Sequence, residues 1–429
     1  MELAELKSEM AAKKTEEPVT TPGVTVVQDA APAAGAAAPA GPEKITVASL
    51  LGPTSLSGFV DVYYNYNSNH PAGNDVNLCA FDCTSKSIGL NMIELILDKA
   101  PDATLGALGR TGYHVSLGFG EAQANINAVE EGASPNSGYG AYLANQPGFD
   151  QYVKEAYFSY LAPVGSGLQV DVGKFVTPLG AEVIESKDNW NYSRGLLFNY
   201  AIPLNHFGVR AKYTFNPKFN VTGYFVNGFN NIVDNNAGKT YGVSNVWTPD
   251  KKNTFTLNYF AGPEESSSEW VGSGFNADDF WRQTWDLVYM YNLTAKLTFM
   301  VNYDYVHGDR FPVNTETTPW KVSRPIYYTG GAGYLKYAFN DNNYVAARYE
   351  YFYDRNGFIF DPLYTHFHDQ EFTFTYQHTM ATHLLTRFEY RRDMSGAPIF
   401  EISDFSHLVK QQNVLTMGLI FLFDSRDAK

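Results

Sequence analysis

The chain has 429 residues and a formal net charge of -14, with 18% charged and 15% aromatic residues. That length suits one large domain or two to three ordinary ones, and the acid excess argues against nucleic acid as a partner, which calls for clustered Lys and Arg. No run of about 18 apolar residues occurs, so no membrane-spanning helix is predicted, and no Walker motif, dinucleotide loop or zinc spacing points to a cofactor or metal.

The first 46 residues read as a separate region. Leu3, Leu6 and Met10 recur at helical spacing, and residues 17–42 are rich in Pro, Ala, Thr and Gly, so a short helix on a flexible linker is expected. Met1–Lys7 has neither a basic leader nor an apolar core, so an export leader is expected to have been removed or to lie upstream.

Residues 47–429 repeat one pattern: short alternations of apolar or aromatic with small or polar residues, then a break. Period-2 alternation sends successive side chains to opposite faces of a strand. Sixteen strands are predicted, at 57–66, 86–97, 110–121, 151–161, 168–176, 205–216, 218–229, 239–248, 252–262, 282–293, 295–306, 328–340, 343–354, 370–380, 383–393 and 412–423. Tight-turn residues follow strands 4, 6, 8, 10, 12 and 14, as at Asn216-Pro217-Lys218 and Pro249-Asp250-Lys251. Long polar loops follow the odd strands, at 67–85, 122–150, 177–204, 230–238, 263–281, 307–327, 355–369 and 394–411; only the link 98–109 departs from the rule. Short turns at one end and long loops at the other predict an all-β fold, a transmembrane antiparallel barrel with turns in the periplasm and loops outside. A soluble sandwich or propeller explains neither the strand number nor the loop asymmetry.

Alternation also sorts the faces. Leu297, Phe299, Val301 and Tyr303 point to lipid in one strand, and Leu415, Met417, Leu419 and Phe421 in the last. A cation on the lipid face near mid-membrane costs about 2–4 kcal/mol, so strand charges belong inside. The predicted pore-lining set is Arg210, Lys212, Asp286, Lys296, Asp304, Arg348, Glu350, Arg387, Glu389 and Arg391. Roughly eight strands leave an interior filled by side chains, whereas 16–18 leave an aqueous channel, so a water-filled pore is expected. In the first long loop, Cys79 and Cys83 fit a disulfide of an exported protein. Free thiols stay open as a reading, and a metal site would need more ligands than nearby His70.

The fifth strand runs into Gly173-Lys174-Phe175-x-Thr177-Pro178-x-Gly180-x-Glu182, followed by Asn191-Tyr192-Ser193-Arg194-Gly195. This block resembles the OmpL-like β-barrel porins of Gram-negative bacteria, and a similar segment occurs in phosphate-selective porins. The resemblance spans about 50–423 in layout. It implies passive diffusion of small hydrophilic solutes across the outer membrane, a homotrimer, and a third long loop folded into the lumen. Loop 177–204 would then be the constriction, with Glu182, Glu185, Lys187, Asp188 and Arg194 in it. Its acids would face Arg348, Arg387 and Arg391, setting a transverse field and an ion preference. The last strand also resembles the signal read by the outer-membrane assembly machinery, with Thr416, Gly418, Phe421 and Phe423 at its positions, although Asp424–Lys429 extend beyond it.

Two other functions compete with this one. A plugged barrel would serve as an adhesin or structural protein through its long loops. A hydrolase would need a nucleophile, base and orienter together. Gly272-Ser273-Gly274 is not a nucleophile elbow, and His366, His368 and Asp369 lack the partners of a site.

Overall fold

The computed structural model describes residues 52–129, 149–267, 276–315, 318–360, 366–403 and 407–428. The expected helix within 2–14, the linker 17–42 and parts of five long loops, the Gly272–Gly274 segment among them, lie outside these residues.

Sixteen antiparallel strands close into one barrel. They are β1 (Ser55–Asn67), β2 (Ile88–Lys99), β3 (Thr111–Phe119), β4 (Val153–Ala162), β5 (Leu168–Val176), β6 (Asn205–Asn216), β7 (Phe219–Val226) and β8 (Thr240–Trp247). Then come β9 (Asn253–Pro263), β10 (Trp281–Asn292), β11 (Leu297–Thr315), β12 (Thr318–Asn340), β13 (Asn343–Asp354), β14 (Phe367–Ala381) and β15 (Leu384–Ser395). A small hairpin of β16 (Phe400–Glu401) and β17 (Leu408–Val409) precedes the closing strand β18 (Gln411–Asp424). Each barrel strand pairs with its chain neighbour, and β18 pairs with both β15 and β1, which removes every sheet edge. Among the described residues no helix is long and apolar enough to cross a membrane.

Side-chain oxygens tie the tight turns. Asn216 Oδ1 accepts from the N–H of Lys218 at 2.9 Å, and Asp250 Oδ1 from those of Lys252 and Asn253 at 2.8 and 3.0 Å. Thr294 Oγ1 and Asn340 Oδ1 hold the next two turns in the same way. These local bonds supply what a two- to four-residue connection cannot take from a ladder. One expected loop is different: 307–327 is largely strand, because β11 and β12 continue past their neighbours to Thr315 and Thr318.

The outer face carries the expected apolar residues. Leu415, Met417, Leu419 and Phe421 on β18 are exposed while Val414, Thr416, Gly418 and Ile420 are buried. In water each such exposed side chain would forgo roughly 1.5–3 kcal/mol of burial; a lipid surround restores it.

Candidate functional site

Loop 177–204 turns back from the end of β5 into the barrel. Gly180 takes the bend with φ +89°, where any side chain would be strained and a Cβ would lie 2.6 Å from Ile202. The loop then bonds to inward side chains around the wall. Gly180 N–H donates to Asp286 at 2.6 Å on β10, Ala181 N–H to Asn302 at 3.1 Å on β11, and Asn258 on β9 donates to Pro178 O at 2.9 Å. On the far side, Tyr192 and Ser193 N–H donate to Glu389 on β15 at 2.6 and 3.0 Å, and the Tyr192 hydroxyl donates to Asp61 on β1 at 2.8 Å. Tyr192, Leu196 and Leu197 are almost fully buried there, inside the barrel.

Two arginines are the main anchors. Arg348 on β13 reaches Glu182 at 2.5 Å, Glu371 at 2.7 Å and Ser193 O at 2.7 Å. Arg387 on β15 donates to Gln377 at 2.8 Å and to four loop carbonyls, those of Ser186, Lys187, Asn189 and Asn191. An arginine fork suits this use, because it presents five fixed donors and cannot be deprotonated.

The ion pairs differ from those expected. Glu182 does pair with Arg348, but Glu185 pairs with Lys154 on β4 and Asp188 with its neighbour Lys187. Arg391 pairs with Asp393 at 2.8 Å and donates to Arg194 O at 2.7 Å, rather than meeting a loop acid. Of the three wall arginines only Arg348 meets one of these loop acids.

Of the expected pore-lining set, Asp286, Asp304, Arg348, Glu350, Glu389, Arg387 and Arg391 lie on the inward face but are buried under the loop. Glu350 takes the Leu196 N–H. Lys296 is not on the wall: it is exposed in the β10–β11 turn and donates to Phe339 O at 3.2 Å. Arg210 and Lys212 on β6 remain half-buried, with Arg210 on Asp171 at 2.8 Å and stacked 4.6 Å from the Phe175 ring centre. Toward the tight-turn end, Lys212 and Thr214, Asn220 on β7, Thr254 on β9, Thr298 on β11 and Lys336 on β12 face inward and keep partial exposure.

A second loop joins the first, although its polar residues carry no signal for turning inward. Phe81 and Asp82 of loop 67–85 are buried, with Arg194 stacked 4.7 Å from the Phe81 ring centre and 4.0 Å from Asp82. Arg391 donates to Leu78 O at 3.3 Å. The disulfide expected within this loop is not formed: Cys79 and Cys83 are free thiols, and Cys79 Sγ lies 3.7 Å from Asp82 Oδ1. Burial pushes the Asp82 carboxyl up to about 6, with the Arg194 charge opposing the rise. A carboxyl raised above its unfolded value contributes most stability at low pH and loses it as pH rises through about 6. Asp82→Asn should therefore stabilise the protein relative to wild type at about pH 7.5 but not at about pH 4, read as thermal midpoints in detergent.

Gly418 on β18 has a packing role besides its place in the expected assembly signal. A Cβ there would lie 2.4 Å from the Tyr192 ring. Gly418→Val should cost about 1–3 kcal/mol of stability through overpacking, seen as a lower unfolding temperature in heat-modified migration on detergent gels. Thr416 points inward and is buried, while Phe421 is exposed on the lipid face.

The model of the family "Putative beta-barrel porin-2, OmpL-like" matches residues 53–423. Among solved structures, an anion-selective porin from Comamonas acidovorans is similar with TM-score 0.53 at 10% identity, covering 86% of this chain and 99% of that one. The outer membrane channel DcaP of Acinetobacter baumannii is similar with TM-score 0.52 at 11% identity, covering 86% and 97%. OmpT, an outer membrane protein of Vibrio cholerae, is similar with TM-score 0.51 at 12% identity, over the same shares. At these identities the likeness concerns the fold. A search of curated protein sequences gave no match. With the family model spanning nearly all of the barrel, the chain belongs to the OmpL-like β-barrel porin family.

Proposed function

We propose that this chain is a porin of the Gram-negative outer membrane, giving small hydrophilic solutes a passive water path narrowed by loop 177–204. The observation carrying the reading is the set of hydrogen bonds from that loop to inward side chains on β1, β9, β10, β11, β13 and β15. A segment fastened to strands on opposite sides of a sixteen-strand ring runs between them, which supports a narrowed path. Half-buried Arg210, Lys212, Thr254, Thr298 and Lys336 are among the wall groups that would meet a solute. The porin family and the barrel fold favour a channel over an enzyme.

In this reading lipid surrounds the apolar belt, and segment 1–46 hangs in the periplasm beneath residues 47–429. Three copies associate, and Thr416, Gly418, Phe421 and Phe423 are read by the assembly machinery. A plugged barrel serving at the surface is the second reading, favoured by the burial of so many wall charges. Liposome swelling separates the two. A narrowed pore admits a pentose faster than a disaccharide, whereas a plugged barrel admits neither.

A further inference from the structure

Lys336 on β12 faces the lumen near the tight-turn end and keeps partial exposure. Its Nζ lies 4.6 Å from the ring centre of Tyr344 on β13 and 5.6 Å from that of Trp190 in the constriction loop. Among the described residues it has no hydrogen-bond acceptor and no carboxylate partner, so three charged N–H donors are open to the lumen. The Tyr344 hydroxyl lies 3.0 Å from Gln377 Oε1, which accepts from Arg387 Nε at 2.8 Å. All five Arg387 donors go to neutral oxygens, so its charge is uncancelled by any ion pair among the described residues. The acids nearby are already engaged. Glu389 takes two loop N–H groups and the Thr375 hydroxyl, Glu182 takes Arg348, and Asp188 takes Lys187.

From this arrangement we infer that Lys336, between Trp190 and Tyr344, is a binding site for small inorganic or carboxylate anions just below the constriction. The inference rests on the channel reading above. The two rings exclude water from two sides of the ammonium, which strengthens its attraction for an anion, and Arg387 adds positive potential without competing for the ligand. A solute leaving the narrow zone thus meets an unpaired cation first, which gives the pore an anion preference.

The test is the reversal potential of the full chain in planar bilayers under a potassium chloride gradient, with inorganic phosphate as a second probe. Chloride should permeate better than potassium in wild type. Lys336→Gln should lower the chloride-to-potassium ratio about fivefold, the weight of one charge near 4 Å in water. Lys336→Arg should preserve the ratio, and phosphate should reduce chloride current more in wild type than in Lys336→Gln. Cation preference in wild type, or one ratio for wild type and Lys336→Gln, overturns the site while the channel stands. A wild-type chain that folds and passes no current overturns the channel reading and the site with it.

Discussion

Arg348→Ala should be the most damaging single change in the lumen, lowering stability by about 3–5 kcal/mol. The guanidinium is buried and joins β13 to Glu182 of the loop and Glu371 of β14. Its removal leaves two buried carboxylates without their base, and taking one partner from a buried network costs more than the intact network contributes. The loop would also lose the bond at Ser193 O. Expected readouts are a lower unfolding midpoint in urea and a larger, less steady single-channel current. Adding Glu182→Gln to the variant should recover part of the loss, because one stranded charge is then gone. An unchanged midpoint in Arg348→Ala would show that this anchor does not hold the loop.

Arg387→Ala should have the second largest effect, and a different one. No carboxylate is stranded; instead four loop carbonyls within 186–191 lose their donor. Water can reach this end of the lumen, where Lys336 and Gln377 are partly exposed, so the stability loss should be smaller, about 2 kcal/mol. The loop segment 186–191 would then move, and conductance should rise with frequent brief closures. Lys at this position restores the charge but not the fork, so Arg387→Lys should keep the flicker. A quiet, wild-type-sized current in both variants would mean that the segment is held by other contacts.

Much of the barrel was readable in the chain because a half-lipid, half-lumen strand must alternate, and tight turns need Asn, Asp, Pro or Thr at set places. The predicted 205–216 strand and the observed Asn205–Asn216 coincide. The β11–β12 extension was not readable, since Gly308, Pro312 and Pro325 carry loop signals and no apolar alternation continues through them. Bulges also break the parity rule. A register shift at Asp61/Val62 turns both Asn91 and Met92 inward, and one at Ser116/Leu117 does the same for Lys154 and Glu155. Inward charges followed from alternation, but their cover did not, because it depends on where two loops fold. Asp61 lies on the same face as Phe59 and Tyr63 and was within reach of the same argument. The roles of Phe81 and Asp82 were not, since nothing in the polar stretch 67–85 indicates that it turns inward.

Loop 177–204 lies across the sixteen-strand lumen, with Phe81 and Asp82 of loop 67–85 packed against it. Single-channel conductance of wild type beside a variant in which residues 181–201 are replaced by a short Gly-Ser bridge tests this most directly. Wild type should show a small, steady conductance and the variant one several times larger, because sixteen strands enclose room for water once the crossing segment is gone. Equal conductance in two well-folded proteins would contradict it.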